Sequence, residues 1–237
     1  MLNNIAWKSA PIAAILLVNL LSGSAAYAGT VSACAAASGG PTPTNTVFPV
    51  DCTGDDPGTL EAWMSSAFSY TTTSGTNTGF IYSAVYDDGG TMDFYYQIVN
   101  DPSSATALAR LTATDFANFT TNSAYRTDGS TLTGTGFVDG TIGPQTSDSN
   151  IDGSVIGFSF YPPTGPPSEI APGDTSYVLI VSTNATTWTA GNASIIDGGT
   201  DTVASFQPGS GTPEPATLGL LGLGLIALAG WKRRLRS

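Results

Sequence analysis

Between Gly79 and Asp101 the chain reads GFIYSAVYDDGGTMDFYYQIVND. No helix accommodates this stretch. Phe80, Tyr82, Ala84 and Tyr86 fall on one face of an extended strand, with Ile81 and Val85 on the other. Met92, Phe94, Tyr96 and Ile98 then alternate on a return strand. A period of two is the signature of β structure, because successive side chains point to opposite faces. Asp87-Asp88-Gly89-Gly90 separates the two runs, and Asp and Gly tolerate the positive φ that tight hairpins need. The segment therefore predicts a β-hairpin.

The same chemistry continues along the chain. Further strands are predicted at Ala62–Thr72, Ala105–Thr114, Leu132–Val138, Ser154–Tyr161, Ser176–Thr183 and Thr200–Phe206. TSYVLIVST is apolar on both faces, as a central strand covered on each side would be, whereas VIGFSFY alternates as if one face were buried. Turn pairs such as Asp128-Gly129, Asp139-Gly140, Asp152-Gly153 and Asp197-Gly198 punctuate the runs. Short strands at this spacing predict an all-β fold, an antiparallel β-sandwich of jelly-roll or immunoglobulin-like type, over residues 59–208. About 150 residues can bury a two-sheet core without help.

Segments of other character flank that domain. Lys8, the apolar run Pro11–Leu21 and the triplet Ala26-Tyr27-Ala28 come in the order of a secretory signal peptide, with cleavage expected after Ala28. Residues 29–58 form an arm containing Cys34 and Cys52, the two cysteines of the chain. Export favours a disulfide between them, which would close a loop worth roughly 3 kcal/mol in chain entropy. Two free thiols or a lipid attachment are the alternatives. After a linker at 209–212, Ala216–Trp231 runs 16 residues without a charge. As a helix it would span roughly 24 Å, against about 30 Å of hydrocarbon. Lys232, Arg233, Arg234 and Arg236 follow it. Such a cluster stops transfer and holds the C-terminus inside while the preceding domain crosses.

Pro213-Glu214-Pro215, a short Gly/Leu/Ala-rich span and an Arg-rich end come in order here. This arrangement resembles the PEP-CTERM sorting signal of Gram-negative envelope proteins. The resemblance covers about the last 25 residues. It implies recognition by a membrane-embedded exosortase, with Pro213, Glu214 and Pro215 as the motif and Lys232 to Arg236 as the basic stop. It further implies inner-membrane anchoring with the domain outside, then a cell-surface or extracellular location, in the company of exopolysaccharide or biofilm.

Charge and missing residue types bound the chemistry. Seventeen of the 18 acidic residues, all but Glu214, lie between Gly29 and Gly211 with only Arg110 and Arg126, so that stretch carries −15. Such a surface lacks the cations that neutralise phosphates, which argues against nucleic acid as a partner. The chain has no histidine, and no lysine between Gly29 and Gly211. Ser-His-Asp, Cys-His, Ser-Lys and Schiff-base systems are thereby excluded from the domain, as is histidine-ligated zinc. Carboxylates remain, and a pair of them can cleave glycosidic bonds. Yet seven of the aspartates between Gly29 and Gly211 directly precede Gly or Pro, where turn formation accounts for them.

Two binding chemistries stay open. Asp148, Asn150 and Asp152, with Gly153, match the first half of a calcium loop, but position 12 is Ser159 where a bidentate Glu is expected. Trp63, Tyr82, Tyr86, Tyr95 and Trp188 can serve as a sugar-stacking platform or as core and cross-strand pairs. The expectation is an exported non-enzymatic envelope or matrix protein without a cofactor. The alternative is a carbohydrate-binding module, with or without calcium.

Overall fold

A computed structural model describes residues 47–161 and 168–209. Among these described residues eleven strands run in chain order: β1 Val50–Asp51, β2 Thr59–Thr72, β3 Gly75–Asp88, β4 Thr91–Asn100, β5 Arg110–Thr114, β6 Thr121–Arg126, β7 Thr146–Ser149, β8 Val155–Ser159, β9 Val178–Thr183, β10 Trp188–Ile196 and β11 Thr200–Pro208. They form a six-stranded sheet, β1-β6-β9-β4-β3-β2, and a five-stranded sheet, β11-β10-β5-β8-β7. Strand pairing is antiparallel except between β1 and β6. Among the described residues there is no α-helix, and none long and apolar enough to cross a membrane. The expected span at 216–231 lies outside them.

The hairpin forms as its sequence predicts. β3 and β4 pair from Gly79↔Asn100 to Asp88↔Thr91, leaving Gly89 and Gly90 as a two-residue turn. Both glycines have positive φ, 64° and 98°, as the favoured hairpin turn demands. The Asp87 carboxylate accepts the Gly90 N–H at 2.6 Å. β9 lies between β6 and β4 and is buried along its whole length.

The two sheets share one apolar core. Ile81, Phe94, Tyr96 and Val181 from the first meet Leu111, Ile156, Phe158 and Ile195 from the second. Tyr96 is fully buried, and its hydroxyl donates to the Phe206 carbonyl at 3.1 Å, tying β4 to β11 across that core. The sides are closed as well. At one, the Ser66 hydroxyl donates to the Ala204 carbonyl and the Ser69 N–H to Asp201, so β11 covers the edge strand β2. At the other, Val47 bridges to Ser147 of β7 while Val50–Asp51 pairs with β6. Exposed sheet edges invite pairing with other chains, and these contacts blunt both.

Several strand expectations change. Leu132–Val138 is not a strand. It follows a short 3-10 turn, Gly129–Thr131, and runs irregularly across the six-stranded sheet. The Thr135 hydroxyl donates to the Leu132 carbonyl at 2.7 Å, and Gly134 takes φ 81°. Local bonds of this kind compete with a ladder. The Ala105–Thr114 strand begins only at Arg110, because Asn77 and Asn100 side chains bind the backbone of Thr106 instead. Strands β1, β6, β7 and β10 join the sheets beyond those that the sequence pattern predicts.

Candidate functional site

The outer face of the six-stranded sheet concentrates the unusual features. Val178 and Ile180 of β9, Tyr86, Tyr95 and Ala84 of the hairpin, and Ala124 of β6 form a second apolar cluster there. Leu132 and Phe137 close it from above, 4% and 5% exposed. Both faces of the hairpin are thus buried for much of its length. The covering loop is held by paired bonds: Gln97 donates to the Val138 carbonyl at 2.7 Å and accepts the Val138 N–H at 3.0 Å.

Where the loop stops, aromatic surface begins. Trp63 is 45% exposed, Phe80 39% and Val138 44%, with Tyr82 half-buried among them. Strand register places them together, since Trp63 pairs with Ala84, Ser65 with Tyr82 and Ala67 with Phe80. The Phe80 and Tyr82 rings stack 6.3 Å apart at an interplanar angle of 23°. Gly136 presses against Trp63: a Cβ there would come within 3.1 Å of the indole. Of the five aromatics singled out from sequence, Trp63 and Tyr82 contribute to this strip. Tyr86 and Tyr95 pack together in the second cluster at 4.7 Å, and Trp188 sits edge-on to Phe206 at 5.1 Å against the main core. Phe80 was not among the five. Its position two residues before Tyr82 was the available signal.

Beside the cluster lies a buried polar group. Asp93 is 2% exposed, and its Oδ2 accepts the Ser182 hydroxyl at 3.0 Å while Oδ1 makes no hydrogen bond. A cavity of about 10 Å³ adjoins it, lined in part by Cys52, Asp55, Asp56 and Arg126. That is room for one water molecule and nothing larger. Burial pushes the Asp93 carboxyl up to about 7. Arg126, 3% exposed, donates to both Asp128 oxygens at 2.7 and 2.9 Å and to the Asp55 carbonyl at 3.1 Å. Burial opposes its charge, but the bonds to Asp128 outweigh that and hold it above its ordinary pKa. The same bonds hold Asp128 below the usual carboxylate range. Arg126 therefore pins the N-terminal segment onto the sheet. Cys52 is buried and disulfide-bonded, and Cys34 lies outside the described residues.

The calcium-loop residues are occupied with one another and with a cation. Asp148 lies on β7 and takes a bidentate ion pair from Arg110, at 2.5 and 2.7 Å. Asn150 accepts the Val155 N–H and donates to the Ser154 hydroxyl, while Asp152 accepts the N–H and hydroxyl of Ser154. The segment is a β7–β8 hairpin turn, and Ser159 belongs to β8. Among the described residues no group of three or more His, Cys, Asp or Glu is placed to hold a metal ion.

The remaining sequence-predicted residues, Ala26, Ala28, Pro213, Glu214, Pro215, Lys232, Arg233, Arg234 and Arg236, lie outside the described residues. Comparison with protein families supplies the decisive observation for the C-terminal ones: residues 212–234 match the PEP-CTERM protein-sorting motif. The chain carries a PEP-CTERM sorting motif at its C-terminal end. Pro213, Glu214 and Pro215 fall within the matched stretch, as do Lys232, Arg233 and Arg234. The PEP-CTERM motif implies export, C-terminal membrane anchoring before processing, and an exosortase as the processing partner. No curated protein and no solved structure matches the chain.

Proposed function

We propose that this protein, with its PEP-CTERM sorting motif, is a non-enzymatic structural or adhesive component of the cell envelope or extracellular matrix. Residues 1–28 direct export and are removed. The acidic domain, a β-sandwich of jelly-roll or immunoglobulin-like type, is held outside the inner membrane by a span at 216–231 until an exosortase acts near Pro213-Glu214-Pro215. The released or retained domain then works at the cell surface or in the matrix, alongside exopolysaccharide. The PEP-CTERM match at 212–234 carries this reading. The lack of histidine anywhere, and of lysine between Gly29 and Gly211, supports a role without covalent or general-base chemistry by those groups.

Replacing Pro213, Glu214 and Pro215 with alanine tests the sorting route. The expected result is accumulation of unprocessed protein in the inner-membrane fraction. Unchanged processing and destination would reduce the tail to a plain anchor. A second reading, a carbohydrate-binding module, is favoured by the strip in which half-buried Tyr82 lies with exposed Trp63 and Phe80.

A further inference from the structure

We propose that the strip formed by Trp63, Phe80 and Tyr82 binds an uncharged polysaccharide by stacking. The inference rests on the carbohydrate-binding reading and names its site and its ligand class. Trp63 and Phe80 are exposed with half-buried Tyr82 beside them, a contiguous apolar patch of the kind that marks a binding surface. These rings sit on β2 and β3, which pair along almost their full length, so the platform is rigid. Gly136 and the Gln97–Val138 bonds fix the loop that backs the Trp63 indole. Preorganisation of this kind lowers the entropic cost of binding.

The chemistry selects among occupants. Flat π-faces match the C–H faces of sugar rings, and the exposed hydroxyls of Ser65 and Ser69 lie on the same face of β2 to meet sugar hydroxyls. An anionic polymer would find no counter-charge. The domain's two cations are committed, Arg110 to Asp148 and Arg126 to Asp128, within a stretch of net charge −15. A protein partner is disfavoured by size. The exposed parts of these side chains amount to on the order of 300 Å², against about 800 Å² per partner in a stable interface.

Affinity electrophoresis of the full chain in uncharged detergent tests the proposal. Native gels would contain hydroxyethyl cellulose, xyloglucan, galactomannan or a soluble α-glucan, with alginate as the anionic comparison. At least one neutral polymer should retard the protein, and alginate should not. Trp63→Ala and Phe80→Ala should each weaken retardation tenfold or more, while Trp63→Phe retains most of it. Thr202→Ala on the opposite sheet should change nothing, and thermal melts establish that each variant is folded. Failure of every neutral polymer to retard the protein overturns the proposal. So does retardation that survives both alanine changes. So, too, does sedimentation showing that the strip mediates self-association while mobility never responds to glycan. None of these outcomes bears on sorting, which the alanine replacement of Pro213 to Pro215 reads separately.

Discussion

The two sheets turn very different outer faces to their surroundings. The five-stranded sheet presents Arg110 paired with Asp148, Ser194 bonded to Thr202, and a hairpin turn satisfied by its own side chains. The six-stranded sheet presents a second apolar cluster roofed by Leu132 and Phe137, a buried Asp93 and Arg126, and an uncovered aromatic strip at the edge of the roof. Antiparallel sheets commonly leave one face solvated, and the five-stranded sheet does so. The other sheet carries a third layer. A face that invests in such a layer and then leaves Trp63 and Phe80 outside it is where binding is expected.

The largest test of this contrast is stability. Ile180→Ala removes a side chain 3% exposed in the outer cluster. It should cost about 2–5 kcal/mol by denaturant unfolding, as core truncations do. Thr202→Ala on the solvated face should stay within about 0.5 kcal/mol. Equal losses would mean the roof is not a second core.

A pH titration of stability comes next. Because the folded Asp93 carboxyl is raised to about 7 from 3.8, its contribution is fully present below its unfolded pKa and is lost as pH rises through 7. Asp93→Asn keeps an acceptor for Ser182 and removes the ionisation. It should gain about 2–4 kcal/mol relative to the parent on going from pH 4 to pH 8. Parallel stability curves for the two proteins would contradict the burial of that carboxyl.

The two arginines offer a smaller contrast. Arg126 is buried and holds Asp128 and the Asp55 carbonyl, so Arg126→Ala should cost about 2–3 kcal/mol. The Arg110 side chain is 28% exposed, and Arg110→Ala should cost less than about 1 kcal/mol, falling further in salt. A reversed order would place the structural load on the wrong sheet.

Much of this was legible in the residues, for a definite reason. The β3–β4 hairpin and β9 alternate apolar side chains on both faces, and burial on both faces is what those patterns encode. Thr121–Arg126 and Thr146–Ser149 were not legible because they bury polar side chains that pair across the molecule. The Ser123 hydroxyl meets that of Ser147, and hydrophobic periodicity cannot register such a contact. Leu132 and Phe137 misled because apolar residues that plug a surface resemble apolar residues on a strand. The aromatic strip needed the fold. Tyr86 and Tyr95 differ from Phe80 and Trp63 only in lying under the roof rather than beyond its edge. The sorting motif was readable outright, since its parts are contiguous and need no folding to come together.

The central claim is that this domain travels between two removable ends. The intact mass of the protein purified from producing cells tests it most directly. The account predicts a species that begins near Gly29 and ends near Pro213-Glu214-Pro215, without the apolar run or the Arg-rich end. A mass corresponding to the whole chain from Met1 to Ser237, in cells with an active exosortase, would contradict it.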